Sequence, residues 1–209
     1  MKEKEWSNSV GRPSNKAQRR AEIVNALQSV IARVGYEGAS IQAISKEAGI
    51  ASGLVHYHFQ NKQEILVELV HSLTETSVTR YEELKKNASN AQEKIEAFID
   101  AALALGDGSN EQAVAAWVVI GAESIRQEEV RELYKFTIAR QLEELRNLLQ
   151  NYAHEKKKNL SANSIEHIST MVISAIEGAY QLAATASKIT PRNYAATTLK
   201  GMVFSVLDK

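Results

Sequence analysis

Apolar residues recur with a helical period from about Ala17 onward. Ile23, Ala26, Leu27, Val30, Ile31 and Val34 fall at offsets 0, 3, 4, 7, 8 and 11, which lines one face of a helix. Gly35, able to take the left-handed conformation that follows a helix, is expected to end it. Ser40 then offers an N-cap oxygen, and Ile41, Ile44 and Ala48 mark a short second helix that stops at Gly49. Only Ile50 and Ala51 separate that glycine from Ser52, where a third short helix starts and runs to about Phe59. Two short helices joined by a tight glycine-containing turn have the spacing of a helix-turn-helix. Asn61 with Glu64 at its N3 position forms a capping box for a long fourth helix. Ile65, Leu66, Leu69, Val70, Leu73 and Leu84 line that helix, which ends near Lys86.

The same period continues through the rest of the chain. Helices are predicted near 91–105, 111–125, 128–155, 161–187 and 191–207. Breaks fall at 106–110, at 156–159, and at Thr190-Pro191, where Pro takes the first helical position. There is no alternating strand pattern and no internal repeat. The predicted fold is all-α, with about nine helices. A polar arm (1–15) precedes a three-helix helix-turn-helix head (16–62) and a larger helical body (63–209).

Composition agrees with long helices, since 209 residues include only two prolines and ten glycines. With 44% apolar residues the chain can bury a core. The absence of cysteine excludes a disulfide framework and a thiolate metal site. The first 20 residues hold no apolar run of the kind a secretory signal needs. The longest uncharged apolar stretch, 112–122, is well short of the ~20 residues that cross a bilayer. A cytoplasmic protein with no membrane partner is the expectation. Net charge is zero, yet residues 1–62 hold nine Lys/Arg against five acids and the remainder sixteen against twenty. A basic head on an acidic body points to a polyanionic partner for the head.

Residues 35–62 read GYEGASIQAISKEAGIASGLVHYHFQNK. Gly35, Tyr36, Ser40, Ile44, Ala48, Gly49, Ile50, Gly53, Tyr57, His58, Phe59, Asn61, Lys62 and Leu66 sit where the DNA-binding domain of the TetR family has its pattern, and the segment resembles that domain. The resemblance implies a third helix lying in the major groove of double-stranded DNA. Ser52, Gly53 and Leu54 would lead it toward the base edges, and Gln42 would reach a base from the second helix. His56, Tyr57 and Lys62 would grip phosphates, with Ser40 and His58 completing the expected contacts. Phe59 reads as core, and Tyr57 reads equally as core or groove. His56 and His58 are two apart, so on a helix they do not face each other as metal ligands do. Arg12 is open between a minor-groove contact and a solvated tail.

In the body, residues 115–125 together with Arg131, Arg140 and 176–180 resemble the choline-responsive, BetI-like branch. That resemblance implies a ligand pocket drawing on Trp117, Glu123, Tyr134, Glu177 and Tyr180. Gly121 and Tyr180 stand where the branch often has Trp, so an aromatic cage for a quaternary amine loses members and the effector stays open. The last two helices, about 161–187 and 191–207, are rich in small residues (Ser174, Ala175, Gly178, Ala179, Ala183), and the resemblance makes them the homodimer face. The expected function is a homodimeric, ligand-responsive repressor released from a palindromic operator by a small-molecule effector. A DNA-binding adaptor built on the same head is the alternative. No nucleophile–base pairing, phosphate loop or metal-ligand spacing is present. Neither enzymatic activity nor a cofactor is expected.

Overall fold

The computed structural model describes residues 15–103 and 110–208. The arm, with Arg12, and most of the break at 106–110 lie outside the described residues. The described chain is helical: α1 (Asn15–Gly38), α2 (Ile41–Glu47), α3 (Ser52–His58), α4 (Lys62–Lys85), α5 (Ala91–Ala102), α6 (Glu111–Glu123), α7 (Glu128–Glu155), α8 (Ala162–Ala186) and α9 (Tyr194–Leu207).

Capping starts many of these helices where the sequence places a small polar residue. Ser40, Asn61, Asn90, Asn110 and Ser161 each accept a hydrogen bond from the backbone N–H three residues on, each cap contributing about 1 kcal/mol. At α4 the Glu64 carboxylate also reaches back past the cap, accepting from the Gln60 N–H at 2.7 Å. Gly35 takes φ 72 and Gly49 φ 66, the left-handed region in which a Cβ is strained. Gly35 does not end the first helix outright, because one further turn follows it to Gly38. The final helix also differs from expectation. Asn193 adopts a left-handed φ of 55, which separates Pro191 from the helix and moves its start to Tyr194.

Two apolar cores hold the molecule together. The first joins Ile23, Leu27 and Ile31 of α1 to Ile44, Val55 and Phe59, to Ile65, Leu66 and Leu69 of α4, and to Ala116, Trp117 and Ile120 of α6. The head is therefore packed directly on the body. The second fills the body, with Ile95, Ile99, Leu145, Leu149, Tyr152, Ile173 and Ile176 fully or almost fully buried. Among the described residues no helix is long and apolar enough to cross a membrane.

Candidate nucleic-acid interface and ligand cavity

Three ties fix α3 against the rest of the head. The Ser45 hydroxyl bonds the Gln42 carbonyl at 3.0 Å and the Ser52 hydroxyl at 2.9 Å, across the turn closed by the Ile50 N–H on the Ser45 carbonyl. Arg20 of α1 donates from Nη1 to the His58 carbonyl at 2.6 Å. Its guanidinium lies 4.0 Å over the Phe59 ring and pairs with Glu68 of α4 at 3.0 Å. The C-terminal end of α3 is thereby held to both α1 and α4. Its outer face is left free: Gly53, His56 and Tyr57 are exposed, Tyr57 at 75%, and Gln42 on α2 is exposed beside them. Ser52 and Leu54 are half-buried at the leading edge.

Other residues expected on this face are turned to structural use. His58 is only 8% exposed; its Nδ1 is buried without a partner among the described residues, and its ring meets Tyr57 edge-on at 5.1 Å. It therefore points into the head, away from His56. Lys62 donates to the Tyr36 carbonyl at 2.7 Å and lies 4.1 Å over the Tyr36 ring, closing the α1–α2 turn. Burial lowers its pKa, while the charges of Glu123 and Glu37 pull the other way. The Ser40 hydroxyl caps α2. Part of the basic charge read in the head is also internal, since Arg20 and Arg33 are paired to Glu68 and Glu47. Lys46 is exposed and has no ion pair among the described residues.

Glu123 belongs to the junction between head and body and does not line the cavity described below. It is buried, takes a hydrogen bond from Gln127 at 2.9 Å, and lies within electrostatic reach of Tyr36 and Lys62. Around it Arg126 pairs with Glu37 at 3.0 Å, Gln63 donates to Glu129 at 2.7 Å, and Ser29 donates to Gln112 at 3.0 Å. Arg131 closes the end of α6 by donating to the Ser124 and Ile125 carbonyls.

Behind the junction lies a cavity of about 590 Å³, walled by α4, α5, α6 and α7 with Gln28 of α1 and Tyr180 of α8. Trp117 and Tyr180 line it; Tyr134 and Glu177 stand one layer behind. Glu177 accepts from the Trp117 indole N–H at 3.1 Å and from the Tyr134 hydroxyl at 2.8 Å, fixing the Trp117 ring against the wall. Burial and the Glu177 charge push the Tyr134 pKa up. A Cβ at Gly121 would sit 3.6 Å from the Tyr134 hydroxyl, so a large side chain at 121 would have to displace Tyr134.

The remaining wall escaped the sequence reading, although a signal for it exists. Thr74, Ser77 and Tyr81 on α4, and Thr137, Gln141 and Glu144 on α7, occupy spacings at which a helix facing a closed core carries apolar residues. The two polar rows face each other, with Thr74 3.5 Å from Thr137 and the Tyr81 hydroxyl donating to Glu144 at 2.7 Å. Polar residues on core-facing positions of adjacent helices mark a solvated or ligand-bearing interior.

The comparisons with known proteins agree with this arrangement of head and body. Residues 23–69 match the bacterial regulatory proteins of the tetR family. Residues 91–207, more than half the chain, match the C-terminal region of BetI-type transcriptional repressors. The chain belongs to the tetR family of regulators, in its BetI-type branch. The HTH-type transcriptional regulator BetI of Vibrio parahaemolyticus is 29% identical over 195 residues, covering 91% of each chain. A transcriptional regulator from Saccharomonospora viridis, solved in complex with choline, superposes with a TM-score of 0.74 at 19% identity, covering 92% of this chain and 96% of that one. FadR of Bacillus subtilis, solved with stearoyl-CoA, superposes at 0.69 and 22% identity, over 90% and 96%. As a tetR-family protein this chain is a DNA-binding transcriptional regulator. Its fold serves relatives with unlike ligands, so the ligand must be argued from the cavity.

Proposed function

We propose that the protein is a homodimeric repressor whose grip on a palindromic operator is released when a small molecule enters the 590 Å³ cavity. The observation that carries this reading is a rigid path from groove face to cavity. The 24-residue α4 begins at Lys62 under the head and carries Tyr81 and Glu82 in the cavity wall. Alongside it α6 places Trp117 in the same wall and leads to Glu123 and Arg126 against the head. An effector that prefers one spacing of α4, α6 and α7 must shift the equilibrium of the heads, by linkage. DNA contacts are assigned to Ser52, Gly53, Leu54, His56 and Tyr57 on α3 with Gln42 on α2; His58 is left out because it is buried, and Ser40 and Lys62 because their polar groups are bound within the head. An adaptor that answers to no ligand has no use for such a cavity.

The second copy is assigned to α8 and α9. A groove of about 400 Å³ between them is lined by Ile168, Met171, Ala175, Thr198, Leu199 and Met202. Met171 and Met202 are 67% and 61% exposed in the single chain. An apolar patch of this kind marks an interface, and two-fold pairing there would match a palindromic site. A gel-shift assay with the DNA upstream of the coding sequence tests the reading. A complex that survives competitor DNA at physiological salt supports it; binding with no sequence preference overturns it.

A further inference from the structure

Among the described residues the lining charge without an ion pair is net positive, Arg80 and Arg140 against Glu143, and this restricts what the cavity holds; the inference rests on the reading above that the cavity is the effector site. Its aromatic polar groups are already engaged: the Tyr81 hydroxyl by Glu144, the Tyr180 hydroxyl by the Ala102 carbonyl, and the Trp117 N–H by Glu177. Two of its carboxylates are engaged as well, Glu144 by Tyr81 and Lys85 and Glu82 by Lys85. Glu143 is exposed and its field acts on Arg146. Arg80 is the exception. Half-buried in the wall, it makes one bond, from Nη1 to the Ala101 carbonyl at 3.3 Å, and has no ion pair among the described residues. Arg140, exposed in the same lining, lies 5.9 Å from the Phe136 ring centroid and likewise has no ion pair there. In the same lining Gln141 buries its Oε1 with no hydrogen-bond partner among the described residues.

We propose that the cavity takes an organic carboxylate with an apolar or aromatic body. The guanidinium fork of Arg80, assisted by Arg140 at the mouth, pairs the carboxylate, for which its planar donors are suited. Gln141 Oε1 accepts from a hydroxyl or amide N–H next to it, and the faces of Phe98, Trp117 and Tyr180 cover the body. A quaternary ammonium entering the same space meets two guanidiniums with no ion pair among the described residues, and Glu143, exposed to solvent, is the one lining carboxylate left to face it. A phosphate monoester offers the same oxyanion, so the test separates the two sources.

The test is isothermal titration of the full chain with N-acetylphenylalanine, decanoate, hexyl phosphate and choline as separate probes. The carboxylates are expected to bind, with hexyl phosphate weaker and choline without measurable heat. Arg80→Gln is expected to weaken carboxylate binding about tenfold to a hundredfold, the loss of one charged hydrogen-bonded pair. Arg140→Gln provides a second variant should Arg80→Gln fail to fold, with about a threefold loss expected at the more solvated site. Choline or hexyl phosphate binding more tightly than both carboxylates overturns the inference, as does no carboxylate binding, or binding that neither substitution weakens. A parallel gel shift keeps the two readings apart. Sequence-specific DNA binding without carboxylate uptake defeats this inference alone; carboxylate uptake without specific DNA binding defeats only the regulator reading.

Discussion

Replacing Arg20 by Ala removes the clamp that holds α3 without touching the groove face. The guanidinium donates to the His58 carbonyl at 2.6 Å, a charged hydrogen bond of about 1.5–3 kcal/mol. Its seat over Phe59 adds about 0.5–1 kcal/mol. The ion pairs to Glu68 and Glu64 join half-exposed groups and add about 0.2–1 kcal/mol each. These terms share one side chain and are not additive, so a loss of about 2–4 kcal/mol is expected. Urea unfolding of the full chain measures it directly, and at about 2–4 °C per kcal/mol the thermal midpoint should fall by about 4–16 °C. DNA affinity should also fall, because α3 loses its fixed angle to α4, but the dependence on salt should keep its slope. A stability change below about 0.5 kcal/mol would refute the clamp. A salt slope smaller by about one would refute it too, because that is the signature of a lost phosphate contact.

Three further outcomes follow from burial and charge. Tyr57→Ala should leave stability within about 0.5 kcal/mol yet weaken all DNA sites together, whereas Phe59→Ala, at a 2% exposed ring, should cost about 3–5 kcal/mol; urea titration and anisotropy on labelled duplex separate the two. Met202→Glu places a charge in the α8–α9 face, so sedimentation should show monomer where the parent protein shows dimer, and an unchanged mass would argue against that interface. Burial raises the pKa of Tyr134 and Tyr180, and burial with the bond to Asp208 pushes Tyr152 up to about 12. The unfolded chain therefore loses these protons first, near pH 10, so stability is full below that pH and falls as pH rises through it. Tyrosinate absorbance should appear together with the loss of helical circular dichroism; ionisation of these tyrosines well before unfolding would contradict their burial.

The head was legible because its signals are local. The stripe from Ile23 to Ile31, the caps at Ser40 and Asn61, and the left-handed glycines at 35 and 49 all depend on neighbours a few residues away. The destinations of long charged side chains were not legible. In the sequence Arg20 counts toward the basic charge of the head and Lys62 reads as a phosphate contact, yet each is bound to a backbone carbonyl brought close by the tertiary fold, His58 and Tyr36 respectively. Glu123 joins the expected pocket through the BetI-like resemblance of 115–125; the helix carries it past the cavity to the junction with the head. Tyr134 and Glu177 stand behind the cavity wall, where Glu177 accepts from both Trp117 and Tyr134. Arg80 and Gln141 were missed for the opposite reason. Their helices look like ordinary amphipathic surface until α4 and α7 are set face to face.

A two-fold pair of these heads is expected to read DNA by sequence. Selection of bound duplexes from a random pool by the full chain tests this most directly. The pool should converge on one palindrome with half-sites about 34–36 Å apart or a multiple of that, bound at least about a thousandfold more tightly than unselected DNA at physiological salt. Recovery of no shared sequence, or of a single asymmetric half-site bound by one chain, would contradict it.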